Sequence, residues 1–313
     1  MKPFEFLAES RDPISARELG ERARRAEAHG YHALVIPDHV LDQLSPVPTM
    51  AVIAAATERL RIGAFVFNND LRHPAVLAQD LASLDVLSEG RLDVAIGAGW
   101  NQPEYASVGI AFDVPAIRSE RLAEAVAVLK GCFADGPFSF DGRYYRITDY
   151  DAGPAPVQRP HPPFLIGGGG RRTLTLAARE AQIVGLAPRI GPKVGRDPRS
   201  LTWGATEEKI GWVREAAGER FDRLRLNVYP SGVPVTVVED ARAAARIVAD
   251  ELAASTGIRL TEDEVLESPQ MFIGSLDRLE EKFMAMRERL GISSIMVGEL
   301  GPLDRLVERL AGR

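Results

Sequence analysis

Short apolar runs alternate with longer amphipathic stretches from one end of the chain to the other. The runs fall at residues 4–8, 33–36, 60–67, 92–96, 163–166, 183–186, 223–229 and 294–297. Most are nearly unbroken in their apolar character, as expected of strands buried on both faces, whereas a half-exposed strand alternates polar and apolar residues. Between them, residues 14–29, 74–88, 118–133 and 276–290 place apolar side chains at helical spacing. Eight buried strands alternating with helices predict a parallel sheet covered on every side. An open sheet of that size would leave two edges, and no shift of composition marks a domain break. The expected fold is therefore α/β, a closed (β/α)8 barrel with insertion segments, in a single domain over residues 1–313.

Three stretches depart from the repeat. Residues 138–145 read as two alternating runs joined by Asp141-Gly142, a hairpin signal, and are followed by a proline-rich connection to the fifth strand. Residues 188–202 are rich in Gly, Pro and Arg and follow the sixth strand, which suggests a lid at the end of a barrel where active sites are built. Residues 230–238 follow the seventh strand at the same end.

A length of 313 residues with 45% hydrophobic content suits either two ordinary domains or one large barrel, so composition does not choose between them. A net charge of -6 argues against a nucleic-acid or membrane-surface binder and in favour of a small-molecule substrate. The one cysteine, Cys132, sits among Val126, Val128 and Leu129 in a helical run, so it reads as a core residue and forms no internal disulfide. The N-terminus is charged, and no run approaches the ~20 apolar residues of a membrane span. These features lead us to expect a cytoplasmic protein.

In a barrel, chemistry gathers where strands end and loops begin. The second strand ends in Asp38-His39 and the third in Asn68-Asn69-Asp70, with Arg72 and His73 just beyond. The fourth ends in Gly97-Ala98-Gly99-Trp100-Asn101, with Glu104 in the next turn. His39 is the residue best suited to move a proton near neutral pH, and an acidic neighbour can orient it. The bland alternative makes Asp38 a helix cap beside an incidental histidine. Gly97-Ala98-Gly99 lacks the third glycine of a dinucleotide motif but lets a flat ring approach the backbone, with Trp100 either as an aromatic wall or as a core plug. The fifth strand runs through Gly167-Gly168-Gly169-Gly170 into a helix that begins Arg171-Arg172-Thr173. Glycines before a helix N-terminus suit a phosphate, although a plain strand-to-helix turn is the alternative. No cluster has metal-ligand spacing.

Taken together, Pro37-Asp38-His39, Ile62-Gly63-Ala64-Phe65-Val66, His73-Pro74-Ala75-Val76-Leu77-Ala78-Gln79, Ser88-Glu89-Gly90-Arg91-Leu92, the strand-four glycines, the tetraglycine loop and Ile273-Gly274-Ser275 resemble the luciferase-like monooxygenase superfamily over essentially the whole chain. Its members are barrel oxidoreductases using FMN or the deazaflavin F420. The resemblance implies a ring in the barrel mouth and a cofactor phosphate at Gly167 to Gly170. It also implies a cis non-proline peptide at Phe65-Val66, and cofactor contacts carried onto Asp38, Phe65, Val66, Asn68, Gly99, Asn101 and Arg171. Asp38-His39 looks like the F420-using branch rather than the FMN-using one, where a Glu-His pair is usual. One departure is Trp100, which stands where the F420-dependent sugar-phosphate dehydrogenases carry an acidic glutamate. That argues against glucose-6-phosphate as substrate.

The expected activity is hydride transfer between the deazaflavin C5 and a small organic substrate, with His39, Asp38 and Trp100 as the catalytic group. Two rivals remain: an FMN-dependent monooxygenase fed by a separate flavin reductase, and a non-catalytic barrel that binds the cofactor without turnover. The resemblance also implies a homodimer.

Overall fold

The computed structural model describes residues 1–190 and 197–313. Its strands are β1 Glu5–Glu9, β2 Ala33–Ile36, β3 Arg61–Ala64, β4 Phe67–Asn68, β5 Leu92–Gly97, β6 Phe138–Asp141, β7 Arg146–Tyr150, β8 Phe164–Gly168, β9 Ile183–Leu186, β10 Arg225–Val228, β11 Thr236–Val237, β12 Ile273–Gly274 and β13 Ile292–Glu299. One sheet runs β3-β2-β1-β13-β10-β9-β8-β5-β4, and β3 also pairs with β5, so the sheet returns on itself. This is the closed parallel (β/α)8 barrel. β3 and β4 are two pieces of one barrel strand. Both run alongside β5, with Ile62 opposite Leu92 and Phe67 opposite Ile96. The interruption falls at Phe65-Val66, whose peptide is cis.

By its internal contacts the chain divides into two compact units. One holds Ser10–Glu27 and Ala33–Leu165. Here the helices Pro46–Ala56, Pro74–Leu87 and Pro115–Phe133 each begin with proline, which fixes φ where no intrahelical N–H bond is lost. They bury Met50, Ile53, Leu77, Leu81, Leu122, Val126 and Leu129 behind the strands. Cys132 is buried as expected, and desolvation raises its thiol pKa. The hairpin forms, but its second strand starts at Arg146 rather than within 138–145. Glu124 is the reason: its carboxylate accepts the backbone N–H groups of Arg143, Tyr144 and Tyr145 at 2.8, 2.8 and 3.1 Å, which removes them from any ladder.

The other unit holds Met1–Glu9, Ala28–His32 and Ile166–Arg313. Residues 230–238, which depart from the repeat in sequence, contribute β11, which pairs in parallel with β12. Beside that pair the helix Ala241–Thr256 buries Ala241, Ala245 and Ala249 in a satellite core with Leu201, Val233, Leu260, Val265, Met271 and Ile273. Its fully buried positions are all alanines, with Val248 and Leu252 only partly buried beside them, so it offers little hydrophobic contrast in sequence.

Lys209, on the helix Trp203–Ala217, is buried and donates to Ser200 O at 2.7 Å. Burial, reinforced by the Arg189 charge, pushes its pKa down to about 8. An unfolded lysine titrates near ~10.4, so between those values the unfolded chain binds more protons and folding stability rises with pH. We expect the stability of the native protein minus that of Lys209→Met to climb by up to roughly 3 kcal/mol from pH 7.5 to 10.5. A difference that stays flat in denaturant titrations across that range would contradict this.

Among the described residues no helix is long and apolar enough to cross a membrane, and no group of three His, Cys, Asp or Glu residues is arranged to hold a metal ion.

Candidate active site

The unit carrying β2 to β5 brings several of the expected residues together, but it pairs them differently from their sequence neighbourhood. Asp38 does not face His39. Its Oδ2 accepts the Asn68 backbone N–H at 2.9 Å and an Arg72 guanidinium N–H at 2.6 Å. The carboxylate is buried, and Arg72 also lies 5.6 Å above the Phe67 ring. Asp38 therefore pins the end of β4 rather than orienting the imidazole. Phe67 is fully buried.

His39 finds its carboxylate 65 residues downstream. Its Nδ1 lies 2.8 Å from Glu104 Oε2. Glu104 occupies the first turn of the short helix Gln102–Ser107, whose N-cap is Asn101. The same Glu104 carboxylate accepts the Val40 backbone N–H through Oε1 and, at 3.3 Å, the Asn101 amide through Oε2. Glu104 is only 3% exposed, whereas the His39 side chain keeps 20%. A buried carboxylate persists when hydrogen bonds satisfy it, and this one has three. Trp100 meets the His39 ring edge-on, with centroids 5.9 Å apart, and is 47% exposed. It does not plug a core.

Below this pair the strand ends are braced by a second polar layer. Tyr105 Oη lies 2.8 Å from Asn68 Oδ1 and 3.0 Å from Asp70 Oδ2. Desolvation, then the Asp70 charge, raises the Tyr105 pKa. Arg121 holds Asp70 at 2.7 Å and Asp113 at 2.8 Å. Arg118 donates to Ala98 O at 3.0 Å and also to Gly99 O, and it stacks 4.1 Å from the Phe112 centroid. Gly99 has φ of +74°, and an added Cβ would sit 1.8 Å from Tyr105 Oη and 2.7 Å from Asn68 Oδ1. Gly99→Ala combines an unfavourable backbone region with a collision. It should lower folding stability by more than about 2 kcal/mol. Thermal unfolding that matched the native protein would contradict this packing. Phe65 and Val66 are half-buried beside this layer. The Phe65 N–H donates to Ile36 O at 2.8 Å, and Val66 Cγ2 stands 2.8 Å from where a Cβ on Gly97 would be.

The tetraglycine loop belongs to the other unit. β8 ends at Gly168, and Gly170 is the N-cap of the helix Arg171–Glu180. The four glycines serve different purposes. A Cβ on Gly168 would meet the Thr173 side chain at 2.7 Å, and one on Gly169 would meet Pro188 O at 2.2 Å, so those two are required by packing of the chain on itself. On Gly170 a Cβ would meet nothing within 4 Å among the described residues, and on Gly167 only Gly185 O at 4.0 Å. The helix has no acidic residue in its first turn, and its N-cap, Gly170, brings no capping side chain. Open space before a helix N-terminus fits an anion such as a phosphate. Arg171 turns away to an exposed pair with Glu215 at 2.6 Å. In the same unit two buried amide oxygens, Asn227 Oδ1 and Gln270 Oε1, have no hydrogen-bond partner among the described residues. The Gln270 amide donates to Leu186 O, at the end of β9. Of the expected lid, residues 191–196 lie outside the described residues.

A segment of 138 residues is 34% identical to an FMNH2-dependent dimethylsulfone monooxygenase of Pseudomonas putida, covering 44% of this chain and 38% of that protein. Another of 181 residues is 33% identical to an F420-dependent glucose-6-phosphate dehydrogenase of Kineococcus radiotolerans, covering 54% and 52%. The chain thus spans about half or less of the length of these curated relatives. The F420-dependent tetrahydromethanopterin reductase of Methanopyrus kandleri superposes over 98% of this chain and 96% of its own with a TM-score of 0.75 at 18% identity, which shows a shared fold. The family model described as luciferase-like monooxygenase matches residues 2–288. The chain belongs to the luciferase-like monooxygenase family.

Proposed function

We propose that the chain is an F420-dependent oxidoreductase that transfers a hydride between the deazaflavin and a small organic substrate. The observation that carries this reading is the His39 site: an imidazole open to solvent on one side, held on the other by a buried carboxylate, with the exposed Trp100 at its edge. When bound, the deazaflavin supplies or accepts a hydride at C5. Every other step falls to the chain's own residues. His39 gives or takes the accompanying proton through Nε2, because Nδ1 is engaged by Glu104. Trp100 offers an aromatic wall. Asp38 acts at one remove by fixing Asn68, rather than as a catalytic group. Gly170 and the helix that follows it take the cofactor phosphate.

Asp38-His39 and the F420-dependent dehydrogenase relatives support F420, whereas the monooxygenase relative supports FMN with a separate flavin reductase as the second reading. The cytoplasmic location and the homodimer belong to the same proposal. The two readings separate in a turnover assay. Reduced F420 under nitrogen should be oxidised by a panel of enones in the presence of the protein. Oxygen-dependent turnover of reduced FMN, with none of F420, would overturn the assignment in favour of the second reading.

A further inference from the structure

Glu104 is the residue that the sequence made least of and that the structure places best. It lies deep in its unit, yet its carboxylate is spent on three donors around one histidine: the His39 ring, the backbone N–H of the next residue, Val40, and Asn101. We propose that Glu104 is a positioning residue that sets the tautomer of His39, holding the proton on Nδ1 so that Nε2 is the working nitrogen. The functional part of this inference rests on the proposed role of His39; the tautomer itself does not.

The argument turns on who can donate. An ionised carboxylate has acceptors only, so a neutral imidazole 2.8 Å away bonds to it only by donating Nδ1–H. The Val40 N–H occupies Oε1, and the Asn101 amide shares Oε2 with His39, so neither oxygen is left to swing elsewhere. The short helix Gln102–Ser107 fixes the distance from Asn101 to Glu104, and Tyr105, the next residue on that helix, is buried and anchored on Asn68 and Asp70. The ring is thereby held at Nδ1, with no hydrogen bond to Nε2 among those described and Trp100 edge-on beside it.

Glu104→Gln is the informative substitution. A Gln Oε1 that keeps the Val40 N–H turns its NH2 toward His39 and Asn101; the Asn101 amide then meets it with Oδ1 after a flip, and the NH2 meets Nδ1 only if Nδ1 is the acceptor. The tautomer is then inverted, and Nε2 carries the proton. Histidine labelled with 15N in the protein without cofactor gives the readout, with the His39 resonances assigned by their loss in His39→Gln. In the native protein, with the ring neutral, we expect the protonated-nitrogen signal at Nδ1 and the bare-nitrogen signal at Nε2. In Glu104→Gln we expect the two to exchange places, with an unchanged Tm. Turnover with F420 should fall by about tenfold or more through kcat, with KM little moved. Glu104→Asp, which keeps an acceptor but shortens its reach, should keep the native tautomer and recover part of kcat. Should Glu104→Gln fail to fold, the native spectrum and Glu104→Asp still decide the matter. A native His39 protonated at Nε2, or a Glu104→Gln spectrum like the native one, overturns the inference. A native Nδ1–H tautomer combined with undiminished turnover in His39→Ala would instead leave the tautomer standing and overturn the role given to His39.

Discussion

His39→Ala is expected to lower turnover by about 10²- to 10⁴-fold and to leave the dissociation constant of F420 within about threefold. The separation follows from where the ring sits. Its Nδ1 is fixed to a buried carboxylate, its side chain keeps some exposure, and the half-exposed Trp100 stands edge-on to it. A side chain so placed contributes little to the packing of its unit, so truncation should not unfold it. Glu104 would then lose one of three donors while keeping the Val40 N–H and the Asn101 amide. Steady-state kinetics against cofactor binding on the same preparation decides the point. Parallel losses of kcat and affinity would make His39 a cofactor contact and nothing more.

The second large effect concerns the four glycines, which the structure divides into two pairs. Gly170→Val should weaken cofactor binding by about tenfold or more at an unchanged Tm. The backbone of Gly170 has φ of -111° and ψ of 155°, a region any residue adopts, and a Cβ there meets nothing within 4 Å among the described residues. The added side chain therefore costs the fold little, but it stands in front of the N–H groups of the helix Arg171–Glu180, the place assigned to the phosphate. Gly169→Val should behave in the opposite way. Its Cβ would lie 2.2 Å from Pro188 O, a backbone atom that cannot step aside, so the protein should lose stability before any effect on binding can be read. Measuring Tm and the F420 dissociation constant for both variants separates the pairs. Normal affinity in a stable Gly170→Val would move the phosphate away from this helix.

Much of the fold could be read in advance because buried parallel strands leave a plain trace. β2 and β9 fall at 33–36 and 183–186 as expected, since every one of their residues is buried and polar substitutions are absent from them. The break between β3 and β4 leaves no such trace, because residues 62–67 carry no polar side chain and a turn of the backbone at Phe65-Val66 changes no residue type. That position was located only through resemblance to a family. The helix Ala241–Thr256 escaped notice for a related reason: a stripe of alanines buries well against close neighbours but barely stands out from a polar background.

The candidate site was legible in its membership and not in its pairings. Asp38, His39, Asn68, Gly99, Trp100 and Asn101 all end on the strands whose termini carry the site, as barrel architecture dictates. Adjacency suggested that Asp38 serves His39, yet neighbouring side chains have no obligation to face each other, and Arg72 with the Asn68 N–H claims Asp38 instead. The true partner, Glu104, is set by how β5 hands the chain to a six-residue helix, a geometry that no local pattern announces. Arg171 was expected at the cofactor on the strength of its place beside the glycines, but a carboxylate on the next helix holds it.

The most direct test of the account is a competitive titration that follows the fluorescence of Trp100, which stands half-exposed beside His39, in a protein whose other two tryptophans, Trp203 and Trp212, are replaced by Phe. F420 should quench Trp100 with a saturable curve, and FMN should neither match its affinity nor displace it at equal concentration. Tight, saturable quenching by FMN with no response to F420 would contradict the account.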